Sequence, residues 1–194
     1  MAAPEGTIVT LTRAPRGSNP EWDAYYDDIT EGWRIFLEQL RFAVERHGLS
    51  ERRTIIFDGA LADGRSPADA LGLAEAAALP PGAPYRAPAT TGEELSGTVW
   101  ARSPGRLVLT VEGVGDGLLV LAEQPSAPHR PAGGVLVLLT TYGLDDAAFG
   151  RVEARWTSWW EAHRAPAPAG TPGDGPEDQR AEQHASQPVG QNTE

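Results

Sequence analysis

Between Glu94 and Thr141 four short apolar runs follow one another with too little chain between them for a crossover helix: Glu94 to Arg102 (with Leu95, Val99 and Trp100), Leu107 to Val111, Leu118 to Ala122 and Val135 to Thr141. Parallel neighbours need a connection of about a dozen or more residues, usually helical, whereas antiparallel neighbours need only a turn. The spacers here are turn material: Ser103-Pro104-Gly105, the stretch Gly113 to Gly117, and a loop from Pro125 to Gly134. The spacing therefore predicts an antiparallel sheet built from hairpins.

Helices flank this block. Asp145 is placed to cap a helix from about Asp146 to Arg164, whose apolar face is Phe149, Val152, Trp156, Trp159 and Trp160. Upstream, Thr7 to Arg13 is short and β-branched and reads as a strand, with a turn at Pro15 to Ser18. Asn19-Pro20-Glu21 then combines an N-cap residue, a proline at the first helical position and an acid in the first turn. The predicted helix runs from Pro20 to about Arg46, with Ile29, Trp33, Phe36, Leu37, Leu40 and Val44 as its inner stripe and Gly48 as its stop. Arg53 to Leu61 reads as a strand. Ser66 opens a helix carrying Ala70, Leu71, Leu73, Ala74 and Leu79, which ends at Pro80-Pro81. Residues 81 to 92 read as irregular. Residues 165 to 194 are Pro, Gly, Gln, Glu and Ser with almost no aliphatic side chains, too polar to offset the entropy of ordering, and are expected to be a disordered tail.

Composition excludes several chemistries. The 194 residues contain no cysteine, so disulfides, thiolate metal sites and cysteine nucleophiles are ruled out. All 16 basic residues are arginine, which rules out Schiff-base chemistry and a P-loop lysine and fits the coding bias of a GC-rich bacterial genome. A net charge of −11 repels phosphate backbones, so no nucleic-acid partner is expected. The start, Met-Ala-Ala-Pro-Glu-Gly, lacks the basic and apolar regions of a signal peptide, and the longest apolar run, Val135 to Leu139, is strand-sized; a cytoplasmic protein with no membrane partner is expected.

The two ends of the ordered chain repeat a pattern. Tyr26, Ile29, Trp33, Phe36 and Leu37 fall at the same relative offsets as Phe149, Val152, Trp156, Trp159 and Trp160, and each set follows an apolar strand and a turn. Any amphipathic helix shares part of this spacing; the aligned tryptophans and matching strands favour a duplication. Residues 1 to 48 are too few for a core of their own. They either dock on the second copy or belong to a first copy that has lost its beginning.

The run from Glu21-Trp22-Asp23 to Thr30-Glu31-Gly32-Trp33-Arg34-Ile35-Phe36-Leu37 resembles the closing helix of START-like (SRPBCC) proteins, in the bacterial branch similar to the activator of heat-shock protein 90 ATPase. Residues 7 to 47 match a closing strand and helix. Residues 53 to 164 resemble a diverged second copy in their order of elements, with Arg155-Trp156 where the first helix has Gly32-Trp33. The resemblance implies an α+β, helix-grip fold: a curved antiparallel sheet around a long C-terminal helix with an apolar cavity between them, preceded here by an extra strand and helix. The organisation expected is an incomplete START-like module (1–48), a diverged START-like domain (53–164) and a tail (165–194).

The candidate cavity-lining residues are Trp33, Trp100, Tyr142, Trp156, Trp159 and Trp160; the tryptophans serve equally as core residues, and Tyr142 as an exposed edge residue. His47, His129, His163 and His184 have no second ligand at metal spacing, and no serine elbow is present. Gly113, Gly115 and Gly117 read as a hairpin turn rather than a phosphate loop. Asp27, Asp28 and Glu31 read as a solvated helix face. Neither a catalytic residue nor a cofactor is implied. The expected function is binding of a small hydrophobic ligand, or the remnant of such a module. The alternative is a co-chaperone-like interaction protein that stimulates an ATPase.

Overall fold

The computed structural model describes residues 8–17, 20–48 and 50–166. Six strands form one antiparallel sheet: β1 (Arg52–Gly59), β2 (Pro84–Pro88), β3 (Glu94–Ser103), β4 (Arg106–Val111), β5 (Gly117–Gln124) and β6 (Gly134–Tyr142), in the order β1-β6-β5-β4-β3-β2. From β2 to β6 every strand lies beside its sequence neighbour, as the short spacers require. β1 then pairs with β6, from Arg52 opposite Tyr142 to Gly59 opposite Val135. The fold is therefore α+β with a C-terminal helix against an antiparallel sheet. Edge strand β2 falls in the stretch read as irregular. Its two prolines stand at its ends, where they cost the ladder least, and the intervening Tyr85, Arg86 and Ala87 pair with β3.

Gly115 lies in the turn between β4 and β5 with φ +68°, and a β-carbon there would fall 2.7 Å from the Tyr142 carbonyl oxygen. The glycine-rich stretch is thus a hairpin turn, whose backbone also accepts the Tyr142 N–H at 2.8 Å.

Strands β4, β5 and β6 are buried along almost their whole length because helices cover both faces of the sheet. On one face Leu107, Leu109, Leu119, Leu121, Val137 and Leu139 meet α5 (Asp146–His163) through Val152, Trp156, Trp159 and Trp160, together with the short helices α3 (Pro67–Ala70) and α4 (Ala74–Ala78). The helix expected from Ser66 to Leu79 is split into these two at Leu71 to Leu73, around Gly72 with φ +77°. Alternate residues of the same strands point the other way. Val108, Leu118, Val120, Ala122, Leu138 and Tyr142 form a second core with Ile35 and Phe42 of α2 (Tyr26–Phe42).

The N-terminal segment departs from expectation in three ways. Residues 8–13 belong to no strand, and Ile8, Val9 and Leu11 are exposed. The single helix expected from Pro20 to Arg46 is a short α1 (Pro20–Asp23), then α2, then a π-helical turn over Ala43–His47 that ends where the Gly48 N–H reaches the Ala43 carbonyl at 2.8 Å. Thirdly, the expected inner stripe faces away from the sheet: Trp33, Phe36 and Val44 are exposed, while Ile35, Gln39 and Phe42 are buried. The reason is that the sheet-facing side of α2 carries polar groups with partners. Asp28 holds Arg130 through two hydrogen bonds of 2.9 and 3.1 Å and lies 2.6 Å from the His129 Nε2. Glu31 pairs with Arg106, Glu38 accepts the Trp100 indole N–H at 3.0 Å, and the Gln39 side-chain oxygen accepts the Thr140 hydroxyl at 3.1 Å. Of the acids read as a solvated face, only Asp27 is one: its side chain is 84% exposed and bound to Arg16. Asn19, the expected N-cap, and the tail beyond Pro166 lie outside the described residues.

Candidate ligand-binding site

The six aromatic candidates fall in three places. Trp156, Trp159 and Trp160 of α5 lie together in the core, 0%, 4% and 8% exposed. Their stripe spacing puts them on the face that the sheet covers. Phe57 of β1 stacks on Trp160 at 5.4 Å, and Trp159 stacks on His163 at 5.2 Å. The indole N–H groups of Trp156 and Trp159 are buried and have no hydrogen-bond partner among the described residues. Trp100 and Tyr142 are on the opposite face of the sheet, against α2. Trp100 lies edge-on to Phe42 at 5.3 Å with the Arg41 guanidinium 4.8 Å from its ring. Trp33 is on the solvent side of α2, edge-on to Phe36 at 5.6 Å. The sheet thus separates the α5 tryptophans from Trp100 and Tyr142, and α2 separates both groups from Trp33.

Tyr142 has a partner that sequence reasoning did not identify. His47 closes the π-helical turn, and its ring stacks on the Tyr142 ring at 3.8 Å with 6° between the planes. The wider turn carries an extra residue, which rotates everything after it by about 100° relative to a regular α-helix. His47 is thereby brought to the end of β6. The signal in the sequence was weak: a lone histidine just before a glycine stop. Tyr142 is 5% exposed; burial pushes its phenol pKa up, partly opposed by Arg52. Neither its hydroxyl nor the His47 Nε2 has a hydrogen-bond partner among the described residues. A buried polar group without a partner costs about 1–3 kcal/mol, so two in stacked rings mark a place where a further partner would be stabilising.

These two rings line an open cleft of about 370 Å³ at the end of the sheet, completed by Ser50, Glu51, Arg53, Asp116 and Leu144. Arg53 is tied to Asp146 at the start of α5 and lies 4.0 Å from Glu51, so the cleft is bridged by charge without being strongly positive. Its lining suits a binding site, with a stacked aromatic pair, one aliphatic side chain, and hydroxyl, carboxylate and guanidinium groups; the Tyr142 Oη and His47 Nε2 are themselves closed to solvent, so a ligand reaches them only by displacing a ring.

A larger groove of about 970 Å³ runs between the N-terminal half of α2 and the strand ends, lined among others by Asp28, Glu31, Arg106 and Arg130. Its charges are engaged in holding α2. The Arg130 hydrogen bonds keep the Asp28 carboxyl below the usual carboxylate range, with His129 adding to the effect against a smaller cost of burial. Among the described residues, no group of three or more acidic or histidine side chains is suited to a metal ion, and no helix in that part of the chain, residues 8–17, 20–48 and 50–166, is long and apolar enough to cross a membrane. His184 lies outside it. No protein-family model matches the chain, and comparison with curated proteins finds no significant match.

Proposed function

We propose that the chain is a non-catalytic, START-like binding protein that takes a small, partly hydrophobic molecule in the His47–Tyr142 cleft. The order of elements supports the helix-grip reading: an antiparallel sheet followed by a long helix that fills one of its faces with tryptophan. The single observation that carries the ligand reading is the pair of unpartnered polar atoms, Tyr142 Oη and His47 Nε2, on stacked rings that line one cleft. The cleft's volume is at the lower end of the roughly 300–1,000 Å³ typical of small-molecule sites. The space between sheet and α5, where the family resemblance implies a cavity, is a less favourable location because Trp156 is fully buried there.

Native mass spectrometry of the full chain, purified without detergent, tests the reading. A co-purifying small mass that is lost in both Tyr142→Phe and His47→Ala supports it. A bound mass retained in both variants, or a clean apo protein whose Tyr142 and His47 NMR signals do not respond to a library of small aromatic acids and amides, refutes it.

One observation favours a second reading. The exposed stripe on α2 suits an interaction protein. Its specific form, a co-chaperone-like stimulator of an ATPase, rests on the family resemblance alone and is tested by the turnover of a heat-shock protein 90 type ATPase with and without the chain.

A further inference from the structure

Strand β1 is the outermost strand of the sheet on its side. The Arg53 carbonyl accepts the Thr141 hydroxyl of β6 at 3.5 Å, and a β-carbon on Gly134 of β6 would fall 2.9 Å from the Gly59 carbonyl oxygen. The odd-numbered residues of β1 therefore turn their backbone groups toward β6. In an antiparallel ladder alternate residues pair on opposite sides of a strand, so Arg52, Thr54, Ile56 and Asp58 present their N–H and C=O groups to the open edge. Ile56, in the middle of that edge, is 57% exposed. An edge of this kind is a template for another strand.

The chain itself starts such a strand. Beyond α5 it turns back beside the continuation of β1. Leu61 bridges Arg164 antiparallel, the Ala62 N–H donates to the His163 carbonyl at 2.8 Å, and the Ala165 N–H donates to the Ala60 carbonyl at 2.7 Å. Ala60, an even-numbered residue, is thus already paired on the open side. In the same register Ala167, Ala169, Thr171 and Gly173 come opposite Asp58, Ile56, Thr54 and Arg52. These four have an N–H to give to the edge. Pro166, Pro168 and Pro172 all fall at the alternate positions, where the N–H would point away from β1 and is not needed. Proline also holds the residue before it in extended backbone, which here means Ala165, Ala167 and Thr171.

We infer that residues 167–173 form a seventh strand, antiparallel to β1, that closes this edge of the sheet. The length of chain beyond Pro166 is ample, and it leaves the described structure in the required direction and register. The outer edge so created is a blunt one. From Pro166 to Pro172 only Gly170 has an outward N–H, so a strand from another molecule finds almost no donors there. Residues 174–194 are not part of the strand. The inference rests on backbone pairing and proline placement, independently of the ligand reading of the cleft.

Amide hydrogen exchange of the full chain, followed by NMR, tests it. The Thr54 and Ile56 amides should be protected. Ala169→Pro removes the donor that faces Ile56 and should speed their exchange at least about tenfold. Gly170→Pro is the matched control: the same residue one position on, where the N–H points outward, should leave those rates within about twofold of the parent. Unchanged exchange at Leu119 in the central strand β5 verifies that both variants fold. A cross-peak between the α-protons of Phe57 and Pro168, a close non-hydrogen-bonded pair in this register, fixes the alignment. Unprotected Thr54 and Ile56 amides in the parent, protection that survives Ala169→Pro, or equal loss in both variants would each overturn the inference. So would protection that appears only as concentration rises, the mark of pairing with a second copy.

Discussion

Helices α2 and α5 carry the same five-residue stripe and use it in opposite ways. In α5, Val152, Trp156, Trp159 and Trp160 are buried against the sheet. In α2 the corresponding Trp33 and Phe36 are 39% and 43% exposed, and the helix docks instead through the side that bears Asp28, Glu31, Ile35, Glu38, Gln39 and Phe42. The difference teaches that an apolar stripe defines a face that gains by burial but not the surface that will bury it. One face of the sheet is filled by α5. On the other, Arg106, Arg130, Trp100 and Thr140 offer polar partners that a purely apolar helix face would leave unpaired, at about 1–3 kcal/mol for each buried group.

The sharpest way to break this comparison is to truncate the aligned tryptophans. Trp156→Ala should cost about 3–5 kcal/mol of unfolding free energy, as for other large buried aromatics, whereas Trp33→Ala should change it by less than about 0.5 kcal/mol, as for surface positions. Urea unfolding of both variants measures the contrast, and equal losses would mean that both stripes are buried in solution. Next in size is Asp28→Asn, which weakens the ion pair with Arg130 and the contact with His129. The groups are only partly buried, so the expected loss is about 1 kcal/mol. It should appear as faster amide hydrogen exchange in α2 with no change in α5.

The same residue predicts a pH dependence confined to one helix. The folded-state pKa of Asp28 is lowered, chiefly by Arg130. Its stabilisation is therefore complete above the unfolded value of about 3.9 and is lost as pH falls through the lower folded value. Urea midpoints measured from about pH 6 downward should show an acid-side loss in the parent chain, and this component should be missing in Asp28→Asn. The smallest effect is expected from Glu38→Gln. It keeps an acceptor for the Trp100 indole, so stability should move by no more than about 0.5 kcal/mol, and Trp100 fluorescence should be nearly unchanged. A large loss would mean that the negative charge beside Arg41, rather than the hydrogen bond, holds this part of the interface.

Much of the sheet is legible in the sequence. Leu107 to Val111 and Leu118 to Ala122 match β4 and β5 closely because contiguous apolar runs separated by Gly and Pro leave little freedom in strand choice. Their unbroken rather than alternating apolar character is what burial on both faces demands. β2 was hidden because a five-residue strand with proline at each end lacks the alternation of a half-buried strand. The strand expected at Thr7 to Arg13 is β-branched but, over its described part, pairs with no other strand. The candidate site was half legible: Tyr142 could be nominated from its place at the end of the last strand. His47 could not, because a π-helical turn has no local sequence signature and the contact spans 95 residues.

By itself, then, the amino-acid sequence determined the antiparallel order of β3 to β6, the closing helix with its Asp145 cap, and the absence of thiol and amine chemistry. These follow from local periodicity, short connections and composition. Only the tertiary structure decided which side of α2 meets the sheet, that Asp28 and Glu31 are clasps rather than a solvated face, and that His47 joins Tyr142 at one cleft. Each of these depends on partners distant in the chain, and a polar side chain faces inward only where the completed fold supplies the matching group.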